Sequence, residues 1–290
     1  MDHIDISARA KINLSLDVTG RRDNGYHDVR MIMKSLELHD DITIYRTGSH
    51  TKEIIIETDG ADLPADEDNL IYKAARLIMD ETGIMEGVRI ACRKNIPIAA
   101  GMAGGSTDAA AVFNGINELF SLGLGKDSLK EMGVRIGADV PYCIMGGTAL
   151  SEGIGEILTP LPPMPECTIL IAKPDAGVST AFVYKEFDSL EDKIHPDVDS
   201  MADAIRDQDI RRISGLLGNS LEGVTIREHP VIDKIKQTML GNGALGSLMS
   251  GSGPTVFGIF DDRDKAVLAS DILKKDTEVK DVIITGPYNI

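Results

Sequence analysis

The sequence predicts an α+β fold in two domains, and three observations support that prediction. Short β-branched runs such as 42–45 and 54–56 indicate strands. Apolar residues at helical spacing indicate helices, and the two kinds of element alternate too irregularly for a barrel. Four prolines lie within residues 160–165. We therefore expect an N-terminal domain over residues 1–160 and a C-terminal domain over residues 161–290.

The first half of the chain opens with strands and continues with helices. Apolar and β-branched runs predict strands over 4–18, 31–38, 42–45, 54–56 and 88–92. Asp68 and Asn69 are typical helix caps, and an apolar helical face follows them. Further helices are expected after the small-residue segment 101–107 and over 128–136. The apolar run 142–147 has the pattern of a strand.

The second half contains strands at 168–172, 255–260 and 279–284. Helical spacing is found at 201–217, 231–239 and 264–275. We expect one more strand just before the loop Ser250-Gly-Ser-Gly-Pro254. No internal repeat and no low-complexity tail interrupt this order.

Composition and charge exclude several classes of function. The chain has 290 residues, 42% of them hydrophobic and 26% charged, which is typical of a globular protein rather than a disordered one. Thirty basic residues against 46 acidic ones give a net charge of −16, which opposes binding of a nucleic-acid backbone. With 4% aromatic residues, a broad platform for stacking nucleobases is not expected. Any phosphate site should therefore be a confined pocket.

The cysteines and the first residues of the chain point to a cytoplasmic protein. Cys92, Cys143 and Cys167 are few and far apart, so neither a zinc site nor a disulfide framework is expected. The acidic N-terminus lacks the apolar segment of a signal peptide. No apolar run reaches the length of a membrane-spanning helix, and we expect no membrane association.

The segment 101–107, Gly-Met-Ala-Gly-Gly-Ser-Thr, is the sharpest local signal. Small residues leave backbone amides open to phosphate oxygens, and the helix that follows adds the positive end of its dipole. A tight turn that packs a helix closely explains the same residues equally well. Neither a Walker A motif nor a Rossmann fingerprint is present, because the GxGxxG string at 241–246 follows a helix instead of a strand.

Two charged side chains lie in apolar surroundings. Asp139 stands between Gly137-Ala138 and Pro141, where a carboxylate is either paired or chemically useful. Lys11, Asn13 and Ser15 alternate with apolar residues and so share one strand face. On spacing alone, an exposed polar face is the simpler interpretation of those three residues.

Taken together, these motifs resemble the GHMP kinase superfamily. Its phosphate-binding motif is similar to residues 97–107, and its C-terminal glycine-rich motif is similar to 249–255. The segments 8–14, 20–27 and 137–141 resemble one branch, which phosphorylates an alcohol linked to cytidine diphosphate in non-mevalonate isoprenoid biosynthesis. The resemblance implies a ribosomal protein S5 domain 2-like N-terminal domain and a ferredoxin-like C-terminal domain. Ala103, Met102 and Asp108 depart from the residues common in that family.

The resemblance also implies roles for individual residues. Asp139 would be the catalytic base, with Lys11 beside it. Ser106 is a possible ligand of Mg²⁺. Nucleotide binding is expected for Pro97, Ile98, Ala99, Ala100, Gly101, Met102, Ala103, Gly104, Gly105, Ser106, Thr107, Asn69 and Lys94. Acceptor binding is expected for Asn13, Tyr26, His27, Thr180 and Tyr184, with the two tyrosines on either side of the cytosine.

ATP is the implied phosphoryl donor, Mg²⁺ the implied metal ion, and a monomer or homodimer the implied assembly. Two alternatives remain open. Another GHMP kinase would keep the glycine-rich segment but has no need for Tyr26 and His27. A catalytically silent binding protein would have no need for Lys11 and Asp139.

Overall fold

The computed structural model describes residues 2–59, 64 and 66–290. Strands and helices alternate irregularly along this part of the chain, which confirms the predicted α+β class. The strands are β1 (His3–Arg21), β2 (His27–Arg46), β3 (Ile54–Thr58), β4 (Val88–Arg93), β5 (Thr148–Glu152), β6 (Ile157–Leu161), β7 (Thr168–Pro174), β8 (Gly218–Asn219), β9 (Gly246–Met249), β10 (Val256–Phe260) and β11 (Val279–Thr285). The helices are α1 (Leu70–Thr82), α2 (Gly104–Leu119), α3 (Lys126–Val134), α4 (Val140–Met145), α5 (Thr180–Asp188), α6 (Val198–Arg206), α7 (Ile210–Gly215), α8 (Glu222–Glu228), α9 (Val231–Gly241) and α10 (Arg263–Leu273).

The described residues form two compact units that are discontinuous in sequence. The first unit holds residues up to 10, 38–96 and 103–146, and the second holds 11–37, 97–102 and 147–290. The neighbouring long strands β1 and β2 each contribute residues to both units. The domain boundary expected between residues 160 and 161 stays a prediction.

The first unit buries helices against a sheet. In this sheet β3 pairs in parallel with β4, and β4 pairs in antiparallel fashion with residues 41–46 of β2. The apolar faces of α1, α2 and α4 form one core with the strand residues. Helix α2 lies so close to the strands that a Cβ at Gly115 would come within 2.5 Å of Ile6 and 2.6 Å of Ile44. This contact fixes how closely α2 packs on the strands, and the helix begins at Gly104, within the glycine-rich segment.

The second unit contains an antiparallel four-stranded sheet in the order β11-β7-β10-β9. Every residue of β10 is buried. Helices α9 and α10 cover one face of the sheet, with a core around Ile235, Met239 and Phe260. The same unit includes β5, which pairs with residues 31–34 of β2, and β8, which pairs with β1 at Ser15 and Leu16.

Three sequence predictions about elements were wrong. Residues 31–38 and 42–45 belong to one continuous strand, β2, because the intervening polar residues keep extended backbone conformation. Residues 140–145 form α4 rather than a strand. Pro141 lies in the first turn, where an amide N–H would have no acceptor within the helix, so proline costs no hydrogen bond there. Helix α2 begins at Gly104, so half of the segment expected as a loop is helical.

Candidate active site

The glycine-rich segment together with the four residues before it spans 97–107, and the first half of this range, 97–102, lies in the second unit. Gly101 has φ +69°, and a Cβ there would lie 2.5 Å from the carbonyl oxygen of Ser250 and 2.9 Å from that of Gly253. The Ser250 hydroxyl donates to the Gly101 carbonyl over 3.1 Å, and the Lys11 amide donates to Met102 over 3.2 Å. Close packing thus demands glycine at 101, and the loop 250–254 supports the segment directly.

The second half of the segment forms the first turn of α2 in the first unit. Ala103 caps the helix in a left-handed conformation with φ +57°, and no side chain caps the amides of Gly104, Gly105 and Ser106. Uncapped amides at a helix N-terminus are the usual anchor of a phosphate group. The Thr107 hydroxyl, in contrast, is buried and donates to the Arg9 carbonyl over 2.7 Å.

Lys94 lies in a buried ionic cluster next to this helix start. Its ammonium contacts Asp40 and donates to Asp108 over 2.6 Å. A Cβ at Gly104 would lie 3.6 Å from the Lys94 Nζ atom. Burial raises the pKa of Asp108 to about 7, although Lys94 opposes that rise. The cluster therefore places the Lys94 ammonium, held by two carboxyl groups, beside the first residue of α2.

Asn69 has a structural task as the N-cap of α1. Its Oδ1 atom accepts from the Ile71 amide over 2.9 Å, and its Nδ2 donates to the Pro64 carbonyl over 2.6 Å. This confirms the predicted cap. The nucleotide contacts expected of Asn69 and Lys94 stay predictions.

Asp139 occupies the N-cap position of α4, where Cys143 donates its amide to the Asp139 carbonyl over 3.0 Å. The side chain is half-buried. Gly133 in α3 permits this placement, since a Cβ there would come within 2.9 Å of Val140. Asp139 lies in the first unit and Lys11 in the second, and their pairing stays a prediction.

The polar face of β1 is buried, so the exposed face inferred from its spacing was wrong. Lys11 is 5% exposed, and Asn13 and Ser15 are fully buried. The Lys11 ammonium donates to Asn13 Oδ1 over 2.8 Å, and Asn13 Nδ2 lies 3.2 Å from the Met31 sulfur. A Cβ at Gly251 would lie 3.6 Å from Asn13 Oδ1. Lys11 and Asn13 are therefore held beside the loop 250–254 and the Gly101 carbonyl.

Tyr26, His27 and Tyr184, predicted from distant parts of the sequence, come together in the second unit. They line one cavity of about 690 Å³. The rings of His27 and Tyr184 are 4.7 Å apart at 36°, and Tyr26 is 58% exposed. The other lining residues are Arg21, Gly25, Ala181, Lys185, Asp188 and Ser189. This cavity can hold a flat ring against an aromatic wall, with cations nearby for an anionic group.

Two contacts in this unit were missed from the sequence. Thr180 at the start of α5 shares a hydrogen bond of 2.8 Å with Ser252, so the loop 250–254 reaches the helix that carries Tyr184. Asp188 at the end of α5 contacts His27 over 2.8 Å. Asp188 stands in no motif, and Ser252 belongs to the glycine-rich motif 249–255 without any sign there of a contact with Thr180, so the fold is needed to reveal both contacts.

Among the residues that the structure describes, no cluster of three or more His, Cys, Asp or Glu side chains is arranged to hold a metal ion. No helix in the described ranges is both long and apolar enough to cross a membrane.

Comparison with known proteins defines the class. Residues 69–147 match the family described as GHMP kinases N terminal domain, and residues 201–278 match GHMP kinases C terminal. The chain belongs to the GHMP kinase family. A homoserine kinase from Cytophaga hutchinsonii shares the fold, with a TM-score of 0.78 at 21% identity over 98% of this chain and 95% of the other.

More similar relatives carry one particular name, 4-diphosphocytidyl-2-C-methyl-D-erythritol kinase. The relative from Lachnoclostridium phytofermentans is 53% identical over 92% of this chain and 91% of its own. The relative from Lachnospira eligens is 50% identical over 99% of both chains. A crystal structure titled 4-(cytidine 5'-diphospho)-2C-methyl-D-erythritol kinase superposes with a TM-score of 0.83 at 29% identity, covering 99% of this chain and 100% of that one.

Proposed function

We propose that this kinase transfers the γ-phosphoryl group of ATP to the 2-hydroxyl of 4-diphosphocytidyl-2-C-methyl-D-erythritol, giving the 2-phosphate and ADP. The reaction belongs to the non-mevalonate pathway of isoprenoid biosynthesis. The observation that carries the proposal is identity of 50% over 99% of both chains with a relative of that name. The aromatic cavity around Tyr26, His27 and Tyr184 supports it independently.

Asp139 is the proposed catalytic base. An alcohol is a weak nucleophile, and phosphoryl transfer depends mainly on alignment and on stabilisation of charge. Asp139 accepts the proton of the 2-hydroxyl, and the Lys11 ammonium stabilises the alkoxide and the migrating phosphoryl group. Burial of Lys11 and its hydrogen bond to Asn13 hold the ammonium in one position. A base of this kind contributes roughly 10²–10⁴ in rate.

The triphosphate of ATP is proposed to lie along residues 97–107. The uncapped amides at the start of α2 fit an anionic group, and the Lys94 ammonium, held by Asp40 and Asp108, lies beside Gly104. Mg²⁺ in such sites is held mostly by phosphate oxygens and water, which suits a chain that offers one hydroxyl there, Ser106. When bound, Mg²⁺ neutralises charge on the transferred group. Asn69 and Lys94 are assigned to the adenine side.

On the acceptor side, Tyr26 and Tyr184 are assigned to the two faces of the cytosine. His27 and Asn13 are assigned to hydrogen bonds with the acceptor, and Thr180 to its methylerythritol end. Stacking of a base between rings contributes about 1–3 kcal/mol per base. We further assign the enzyme to the cytoplasm, as a monomer or homodimer without nucleic-acid or membrane partners.

Release of ADP by the purified protein with Mg·ATP tests the proposal. The acceptors compared are 4-diphosphocytidyl-2-C-methyl-D-erythritol, mevalonate, homoserine and galactose. We expect turnover with the cytidine compound alone, reduced 10²–10⁴-fold in Asp139→Asn. Glu131→Gln, an exposed acid on α3, is the matched control and should keep full activity.

Other outcomes separate the alternatives. Turnover with another alcohol would keep Asp139 as the base but overturn the acceptor assigned here. A folded protein that binds ATP and turns over none of the four would favour a silent binding protein.

A further inference from the structure

Asp188 is the one acidic side chain among the described residues that line the cavity, and the proposed mechanism gives it no role. It ends helix α5, and one of its carboxylate oxygens lies 2.8 Å from Nε2 of His27. The other oxygen lies 3.3 Å from a guanidinium nitrogen of Arg21. The His27 side chain is 10% exposed and that of Asp188 is 24% exposed, so this contact is largely shielded from water. All three residues line the same cavity.

A carboxylate fixes the proton of a neighbouring imidazole. Ionised Asp188 can only accept a hydrogen bond, so the contact requires a proton on Nε2 of His27. In the neutral ring Nδ1 is then an acceptor. Nδ1 makes no hydrogen bond within the described part of the chain. The Tyr184 ring, 4.7 Å away, limits how far the imidazole can turn.

Arg21 explains how a carboxylate is tolerated beside an anionic ligand. A bare carboxylate in this cavity would repel a diphosphate group. The guanidinium of Arg21 offsets that charge without removing the acceptor that His27 needs.

We propose that Asp188 is a positioning residue that holds His27 as the Nε2–H tautomer, so that Nδ1 accepts a hydrogen bond from an N–H or O–H donor of the acceptor molecule. This inference rests on the proposed function, because it takes the cavity as the site of the phosphoryl acceptor. Two kinds of donor have that chemistry: the amino group of cytosine, and a hydroxyl of the ribose or of the methylerythritol.

The first test reads the tautomer directly, without any substrate. In ¹⁵N-labelled protein at neutral pH, the His27 side chain should show a protonated Nε2 and an unprotonated Nδ1. The chain has six histidines, and the signal that disappears in His27→Gln identifies the relevant one. Asp188→Ala should abolish the fixed pattern. Protonation on Nδ1 of the wild-type His27 would overturn the proposal, whether or not the proposed reaction occurs.

The second test separates binding from chemistry. Asp188→Ala should raise the KM for the acceptor about tenfold while leaving kcat and the KM for ATP nearly unchanged. Asp188→Asn keeps an oxygen that can accept from Nε2 and should fall between the wild type and the alanine variant. Asp192→Ala, an exposed acid beyond the helix end, should change nothing. An unchanged KM in a folded Asp188→Ala would overturn the proposal.

A uridine analogue of the acceptor distinguishes the two kinds of donor. Uracil has a carbonyl oxygen where cytosine has its amino group. If Nδ1 accepts from that amino group, Asp188→Ala should reduce the preference for the cytidine compound over the uridine compound. If it accepts from a hydroxyl, the variant should raise both KM values by the same factor. Failure of turnover with all acceptors would count against the proposed function and leave the tautomer measurement standing.

Discussion

The two compact units each contain a three-residue ionic cluster, and the two clusters are built in opposite ways. In the first unit the Lys94 ammonium lies between two carboxylates, Asp40 and Asp108, and these three side chains are at most 8% exposed. In the second unit the Asp188 carboxylate lies between Arg21 and His27, and the Arg21 side chain is 62% exposed. Burial decides what each can do: the first holds the fold, and the second is exposed enough to take the proposed positioning role at little cost in stability.

The Lys94 cluster connects the two ends of the glycine-rich segment. Asp40 also accepts from the amides of Asn95 and Ile96 over 2.6 Å and 2.8 Å. These residues directly precede Pro97, whereas Asp108 lies in the second turn of α2. The cluster therefore fixes both the entry to the segment and the helix that ends it.

Replacement of Lys94 should have the largest effect on stability. Lys94→Met leaves two buried carboxyl groups, Asp40 and Asp108, facing an uncharged side chain, and removing one partner of a buried ion pair costs about 3–5 kcal/mol. Urea unfolding of the purified variant measures this loss. Lys130→Met, which removes one partner of a surface pair with Asp127, should cost less than about 1 kcal/mol. Equal losses of stability in the two variants would show that burial does not decide how much an ion pair contributes to stability.

Titration of Asp108 in this cluster should also make the stability of the protein depend on pH. Burial raises the pKa of Asp108 to about 7 from an ordinary value of 3.8. The folded state thus binds this proton more tightly than the unfolded state, so stability falls as pH rises from about 4 to 7 and then levels off. Asp108→Asn lacks this titration. Its stability relative to the wild type should rise across that window by roughly 4 kcal/mol at most.

Urea midpoints at pH 4.5, 6 and 7.5 measure this difference. Asp127→Asn provides the control, because Lys130 lowers the pKa of that exposed carboxyl below its ordinary value of 3.8. That carboxyl is therefore ionised in both states across the measured range, and the stability of the control variant relative to the wild type should stay nearly constant from pH 4.5 to 7.5. A difference between wild type and Asp108→Asn that is constant with pH would contradict the expectation.

The contrast between buried and exposed polar side chains also explains what the sequence could predict about the fold. Periodicity located α1, α2 and most strands, because each of these elements has one clear apolar face. It failed for Lys11, Asn13 and Ser15, since alternation shows that two faces differ but not that water covers the polar one. It failed for α4 as well, where six residues are too few to show helical spacing.

For the candidate site, the sequence predicted residues that stand together in short motifs, and it missed residues whose contacts are with distant parts of the chain. Tyr26 and His27 are adjacent in a recognisable loop, and the structure brings Tyr184 to them. Asp40 and Asp188 are two acids among 46, and neither stands in a motif. Their partners Lys94 and His27 lie far away in sequence, so only the fold identifies them.

A substitution in the aromatic cavity should sharpen the comparison of the two units, because it should weaken binding of the acceptor without changing the stability of the fold. Tyr26 is 58% exposed, so Tyr26→Ala should leave the urea midpoint unchanged. Loss of one stacking partner should raise the KM for the acceptor by about 5- to 160-fold, equivalent to 1–3 kcal/mol. Steady-state kinetics at saturating ATP measures it. Met85→Ala, a similarly exposed residue in the first unit, should alter neither quantity.

The smallest effect expected is that of salt on the acceptor KM. A net charge of −16 repels an anionic acceptor over long distances, whereas Arg21 and Lys185 attract it within the cavity. The screening length shortens from about 30 Å at 0.01 M salt to about 8 Å at 0.15 M, which removes the distant repulsion first. The KM should therefore fall about twofold between these concentrations at constant free Mg²⁺. Arg21→Gln should steepen this fall, because the repulsion then acts with less local attraction against it. A KM that rises with salt in the wild type would mean that the cavity's own cations dominate the approach of the acceptor.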